Sequence, residues 1–213
     1  MLLFSPDDAP PALPCWINGH AFLSMTREFV DVCDVATGRS VRRTPLCGDA
    51  EAAEAVAAAR AVASMWRALD ARARDDLLAA WSAALAQYAA HFARLLRQET
   101  GVDEVAAHAE VAEAVQALRN DAASRARDNM RKEVFFARVG RERPLVMAAR
   151  ALAPVLREGM TVVVNPDAKA PGVVYALVEL SARAGLPPGV VNLVQGGEAV
   201  REALSRRLSG QAR

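Results

Sequence analysis

Met160-Thr-Val-Val-Val-Asn-Pro-Asp-Ala-Lys-Ala-Pro171 and Gly185-Leu-Pro-Pro-Gly-Val-Val-Asn-Leu-Val194 frame one helix-like span. Thr161–Val164 is a short β-branched run, the composition of a strand buried on both faces, and Asn165-Pro166 closes it with a turn signal. Val190–Val194 repeats the pattern, and residues 171–184 between them predict a helix. Strand, helix and strand in this order require a crossover, which is right-handed in nearly all proteins and makes the strands parallel. The same alternation extends upstream, with Val134-Phe-Phe-Ala-Arg-Val139 as a strand and Pro144–Arg157 as a helix, and downstream into a last helix over Glu198–Leu208. Three parallel strands with helices between them make one mononucleotide-binding half of a doubly wound α/β fold.

The first half of the chain has a different texture. Residues 5–14 hold four prolines, which remove backbone donors, so residues 1–14 are expected to form a loosely attached, flexible tail. Trp16-Ile-Asn-Gly19 and Arg27–Asp34, the latter ending near Ala36-Thr-Gly38, predict two strands of an N-terminal hairpin. Three helices follow. The first is capped by Asp49 and runs to Leu69; the second is capped by Asp70 and ends at Gly101; the third covers Asp103 to Arg119. In the second, Leu77, Leu78, Trp81, Leu85, Tyr88, Phe92, Leu95 and Leu96 recur near the helical period and form a core-facing stripe. In the third, Val105, Ala109, Val111, Ala112, Val115 and Leu118 are expected to face inward. The organisation is therefore a tail over residues 1–14, a hairpin and helical part over 15–132, and a half-sheet unit over 133–213.

Composition excludes several functions. With 26 Lys+Arg against 25 Asp+Glu, the formal net charge is +1, which leaves no electrostatic footprint for nucleic acid or an acidic membrane. The chain has three cysteines, Cys15, Cys33 and Cys47, with no CxxC or Cys/His spacing, so neither a disulfide framework nor a metal site is indicated. Met-Leu-Leu-Phe-Ser-Pro-Asp-Asp shows no basic leader followed by an apolar run of signal-peptide length, and no stretch approaches ~20 uninterrupted apolar residues, so no membrane span is expected. A reducing, cytoplasmic setting is expected. His20, His91 and His108 are far apart and are expected in surface or packed roles. Cys47 lies between a strand and a helix, where its pKa could fall, but an inert small side chain is the expectation. Glu104, Glu110 and Glu113 read as a solvated helix face, and Arg125–Lys132 as an exposed face or loop.

Trp16-Ile-Asn-Gly19, Ala36-Thr-Gly38, Trp66, Glu99-Thr-Gly101, Pro144-Leu-Val-Met147, Ala153-Pro154, Gly159, Thr161–Val164 and Gly185–Val194 occur in an order that resembles the aldehyde dehydrogenase superfamily, over most of the chain. The resemblance implies a partial Rossmann-like parallel sheet with an N-terminal β-hairpin and a long-helix cap. It also implies binding of NAD or NADP around Asn165, Pro166 and Lys169, with Gly196-Gly197 as an anion seat at a helix start. The family's glycine motif, general-base glutamate and nucleophilic cysteine all lie downstream of the matched part, so no catalytic residue is assigned here.

Departures fall where the family does chemistry. The asparagine that helps stabilise the oxyanion is matched by Glu142, and a carboxylate opposes developing negative charge, where loss of even one donor typically costs ~10²–10³ in rate. The lysine that holds the adenosine ribose is matched by Asn165, and the acidic residue three positions later by Ala168, so nucleotide binding is expected to be weakened. About a dozen polar residues, Asn120–Lys132, replace a long hairpin used in oligomer assembly. Together these losses suggest a diverged coding sequence. The leading expectation is a truncated relative without dehydrogenase activity of its own, acting as a homo-oligomer subunit or as a partner of another protein, such as a full-length aldehyde dehydrogenase. A portion of an NAD(P)-dependent aldehyde oxidoreductase and a non-catalytic nucleotide-binding module are the alternatives.

Overall fold

The computed structural model describes residues 9–119 and 133–209. Its main sheet contains β1 (Cys15–Ile17), β2 (His20–Phe22), β5 (Val134–Val139), β6 (Thr161–Pro166) and β7 (Val191–Leu193), in the order β2-β1-β7-β6-β5. β5, β6 and β7 are parallel, as the crossover argument requires, with Phe136 opposite Val163 and Val164 opposite Leu193. Pairing begins after Gly159, whose φ of +80° suits the reversal out of the preceding helix. β1 adds antiparallel to β7 at Trp16 and Leu193, so the N-terminal segment forms one edge of the sheet.

One expected hairpin is in fact two. β1 and β2 turn at Asn18-Gly19, whereas β3 (Phe29–Cys33) and β4 (Ser40–Pro45) form a separate two-stranded sheet. Glycine at φ +78° lets the first turn be made in two residues, so β1 finds its partner locally and β3 must find another. Pro10–Leu13 run beside β4: Leu13 N–H donates to Arg43 O at 2.8 Å and Arg43 Nε to Pro10 O at 2.8 Å. Residues 1–8 of the expected tail, and the connection Asn120–Lys132, lie outside the described residues.

Helices α1 (Asp49–Ala68) and α7 (Glu198–Ser209) cover one face of the sheet, where Val134, Val163 and Val194 join Ala52, Ala55, Ala59, Val200 and Leu204 in a core. α5 (Pro144–Arg157) and α6 (Gly172–Arg183) cover the other, over Ala137, Val139, Val162, Val164 and Leu193. Alternate residues of β5 and β6 serve opposite cores, the period-2 consequence of the pleat. α2 (Ala71–Gln87), α3 (Ala89–Thr100) and α4 (Glu104–Arg119) pack outside α5 and α6. Trp81, fully buried, donates its indole N–H to Leu177 O at 3.0 Å, and Trp66 donates to Leu156 O at 3.1 Å. Each aromatic thereby gains burial without an orphaned donor.

Three helix expectations need correction. The long helix from Asp70 to Gly101 is broken at Tyr88, whose φ of −96° and ψ of 18° end α2 and begin α3. The apolar stripe continues across the break through Phe92, Leu95 and Leu96, but Tyr88 is 42% exposed. In α4 the inward face holds Ala107, Glu110, Val111, Ala114, Val115 and Leu118, while Val105 is 79% exposed and Ala109 and Ala112 face solvent. Asp49 is the first residue of α1 rather than its cap; Gly48 takes that place, and its N–H donates to Glu51 at 2.9 Å. Among the described residues no helix is long and apolar enough to cross a membrane.

Candidate functional site

The carboxyl ends of β5, β6 and β7 carry the turns 140–143, 167–171 and 195–197, which bring most of the sequence-predicted residues to one end of the sheet. Asn165 and Pro166 end β6 and are buried. Lys169 is exposed on the turn that follows, where its N–H bonds the Asp167 carboxylate at 2.9 Å. Ala168 O accepts from the Thr44 hydroxyl at 2.7 Å, so β4 braces this turn. Gly196 and Gly197 lie between β7 and α7. Glu142 is exposed after β5, beside Arg143, whose φ of +47° marks the tight entry into α5.

Asn165 is fully occupied within the protein. Its Nδ2 donates to Val194 O at 2.9 Å and to Gly196 O at 3.3 Å, and its Oδ1 accepts from Arg201 Nε at 3.2 Å. Those bonds use both amide hydrogens, so a ribose contact from Nδ2 requires the amide to leave Val194 or Gly196. Arg201 was not singled out in the sequence. It sits one turn into α7, its side chain 19% exposed, and bonds Glu198 at 2.9 Å as well as Asn165. Its signal was its spacing from Gly-Gly, which puts it above the helix start. Gly196, at φ +129°, has no room for a side chain: a Cβ there would meet Val200 Cγ1 at 3.0 Å and the Cys47 backbone at 3.1 Å. Gly196 therefore serves close packing, and the segment before α1 lies against the expected anion seat.

Two of the three helices that follow these strands have protein carboxylates at their N-termini. Glu99, at the end of α3 and 0% exposed, accepts from Gly172 N–H at 2.9 Å and 3.1 Å and from Val173 N–H at 3.3 Å, at the start of α6. Arg42 Nη1 stands 3.6 Å from it. Burial pushes the Glu99 carboxyl up to about 7, against the lowering pull of the helix amides and Arg42. Glu110 does the same for α5, accepting from Leu145 N–H at 2.9 Å and Val146 N–H at 3.3 Å. Burial raises its pKa also. The expectation of a solvated Glu110 is thus overturned, because the orphan amides of a buried helix start need an acceptor. These carboxylates use the donors that could otherwise hold a phosphate.

His20, His91 and His108 are exposed on separate elements. Among the described residues no group of three His, Cys, Asp or Glu side chains is placed to hold a metal ion. Arg143 and Arg150 both pair with Glu113, at 2.7 and 3.1 Å, on the surface of α4 and α5.

The model of the aldehyde dehydrogenase family matches residues 22–209. Glutarate-semialdehyde dehydrogenase of Pseudomonas putida is 30% identical over 217 residues, which cover 91% of this chain and 45% of the relative. Succinate-semialdehyde dehydrogenase of Escherichia coli, whose name specifies NADP(+), is 29% identical over 216 residues, again 91% of this chain and 45% of the relative. Among solved structures, lactaldehyde dehydrogenase from Escherichia coli superposes with a TM-score of 0.84 at 26% identity, covering 92% of this chain and 45% of that one. The chain thus spans less than half the length of the relatives it matches.

Proposed function

The chain belongs to the aldehyde dehydrogenase family, and from that premise we propose that it is a non-catalytic assembly unit, a half-sheet that is completed by further polypeptide. The observation that carries this reading is the β5 edge. β6 pairs with one side of β5, and among the described residues nothing pairs with the other. α7, leaving β7, crosses back over the sheet to pack with Val134 and Val163, so the topology leads toward that same edge. An unpaired parallel edge flanked by half-buried Phe135 and Phe136 favours association. A second copy of the chain, or a full-length aldehyde dehydrogenase, supplies the complementary strand in this reading.

Glu142 at the expected oxyanion position and the closed bonding of Asn165 support the absence of aldehyde oxidation by these residues. Sedimentation velocity from 1 to 50 μM is expected to show self-association or complex formation with an aldehyde dehydrogenase; such low-micromolar affinity corresponds to roughly 7–8 kcal/mol. A monomer throughout that range, with no heteromeric complex, counts against assembly. Separately, incubation with NADP and semialdehydes is expected to give no absorbance of reduced cofactor. Turnover by the purified chain would overturn the non-catalytic part of the proposal.

A second reading, favoured by Lys169 and Arg201 at the carboxyl end of β6 and by the NADP(+) in a relative's name, is weakened NAD or NADP binding without turnover. Calorimetric titration with each cofactor tests it. Heat that diminishes in Lys169→Ala supports a phosphate contact; no heat with folded protein removes the nucleotide from the reading.

A further inference from the structure

β1 and the link between β4 and α1 meet at a buried pair of thiols, separated by 32 positions in sequence. Cys15 Sγ lies 3.5 Å from Cys47 Sγ, with the residues 0% and 2% exposed. Cys33, on β3, is exposed. The three cysteines therefore have two distinct environments.

We propose that Cys15 and Cys47 are a redox pair that closes to an intramolecular disulfide when the protein meets a small peroxide, joining β1 covalently to the segment that enters α1. The site stands independently of the assembly reading above. Bonding requires the sulfurs to approach to ~2.05 Å, a closure of ~1.5 Å from their present separation. The closure is made from the Cys47 side, which lies outside the strand and helix that flank it, whereas Cys15 is held opposite Phe22 in the β1–β2 pair.

Cys47 is the attacking sulfur. It lies in the irregular link between β4 and α1, and either thiol can donate across the 3.5 Å contact; donation from Cys15 lowers the Cys47 pKa and raises that of Cys15. The approach is from the irregular segment after β2, where Leu23 and Met25 are 75% and 93% exposed and Ser24 bonds Glu51 in the first turn of α1. Opening of that segment would admit a molecule of peroxide size. The Cys47 thiolate attacks one peroxide oxygen, the O–O bond breaks, and a sulfenic acid and hydroxide form. The Cys15 sulfur then attacks Cys47 Sγ, expelling the sulfenic oxygen as water after proton transfer. In sum, two thiols and one hydrogen peroxide give one disulfide and two waters.

The pair adjoins the carboxyl end of β7. Gln195 N–H donates to Cys15 Sγ at 3.4 Å, and Gly196 packs on the Cys47 backbone. Oxidation therefore changes the acceptor and the packing beneath the same turn that accepts from Asn165.

The test uses the reduced full chain carrying Cys33→Ser, treated with hydrogen peroxide, quenched, alkylated under denaturing conditions and mapped without reduction. The expected result is loss of two hydrogens from the intact mass, a cross-linked peptide containing Cys15 and Cys47, and about tenfold less alkylation of both, reversed by dithiothreitol. Cys47→Ser, folded by circular dichroism, should yield no linked species. Free Cys15 and Cys47 thiols after peroxide treatment, or sulfinic acid at Cys47 with no cross-link, would overturn the proposal. The wild-type chain repeats the experiment with Cys33 present, and a Cys33-linked dimer in place of the Cys15–Cys47 peptide would likewise count against it.

Discussion

Glu99 shows how a single side chain can hold two elements together and set a pH dependence. Its carboxylate joins the end of α3 to the start of α6, and a Cβ on Gly172 would collide with its Oε1. With the folded pKa at about 7 and an ordinary value of 4.5, the folded chain retains a proton between those limits that the unfolded chain has released. Stability contributed by this group is therefore greatest below pH 4.5 and declines as pH rises toward 7, by up to ~3 kcal/mol. Urea unfolding across pH 5–8 should show this decline, and Glu99→Gln should flatten it. An unchanged slope in the variant would assign the pH dependence elsewhere. Gly172→Ala should lose ~1–3 kcal/mol because the buried carboxylate has to move. Asn165→Ala should lose ~1–3 kcal/mol as well, leaving the carbonyls of Val194 and Gly196 without the amide donor; unchanged urea midpoints would show that these bonds are replaced without cost.

Individual helices were legible in the sequence to different degrees, for reasons visible in their composition. The start of α5 at Pro144 and the αL stop of α3 at Gly101 follow from backbone constraints that act locally. The face of α4 does not: Ala106, Ala107, Ala109, Ala112, Ala114 and Ala117 surround the helix with small apolar residues, so periodicity leaves its rotation poorly marked. Its rotation is instead fixed by Glu110 reaching the amides of α5 and by Leu118 in the core. Glu110→Ala should destabilise the fold by ~1–3 kcal/mol, with Glu110→Gln losing less because a side-chain carbonyl can still accept. Equal urea midpoints for Glu110→Ala and wild type would mean that water caps α5 equally well. The break at Tyr88 has no glycine or proline to announce it; α3 packs on α4 and α6 as α2 does, and meets β3 where α2 meets α5.

The sheet as a whole has one edge built by the N-terminal hairpin and one formed by β5. If the latter edge joins another polypeptide, amide exchange over residues 134–139 should slow as protein concentration rises, whereas β6, already paired on both sides, should stay protected. Concentration-independent exchange at β5 would remove this edge from the assembly interface.

Thr161–Val164, the glycines around it and the following helix pattern sufficed to read a parallel α/β half-sheet, because β propensity, turn chemistry and crossover handedness are local or nearly local rules. The sequence likewise placed Asn165, Pro166, Lys169, Gly196 and Gly197 at one end of that sheet. It did not disclose that Asn165 bonds Arg201, that Glu99 and Glu110 occupy helix starts, or that Cys15 meets Cys47. Those relations join residues 32 to 73 positions apart, and their partners are chosen by packing and desolvation once the layers have assembled.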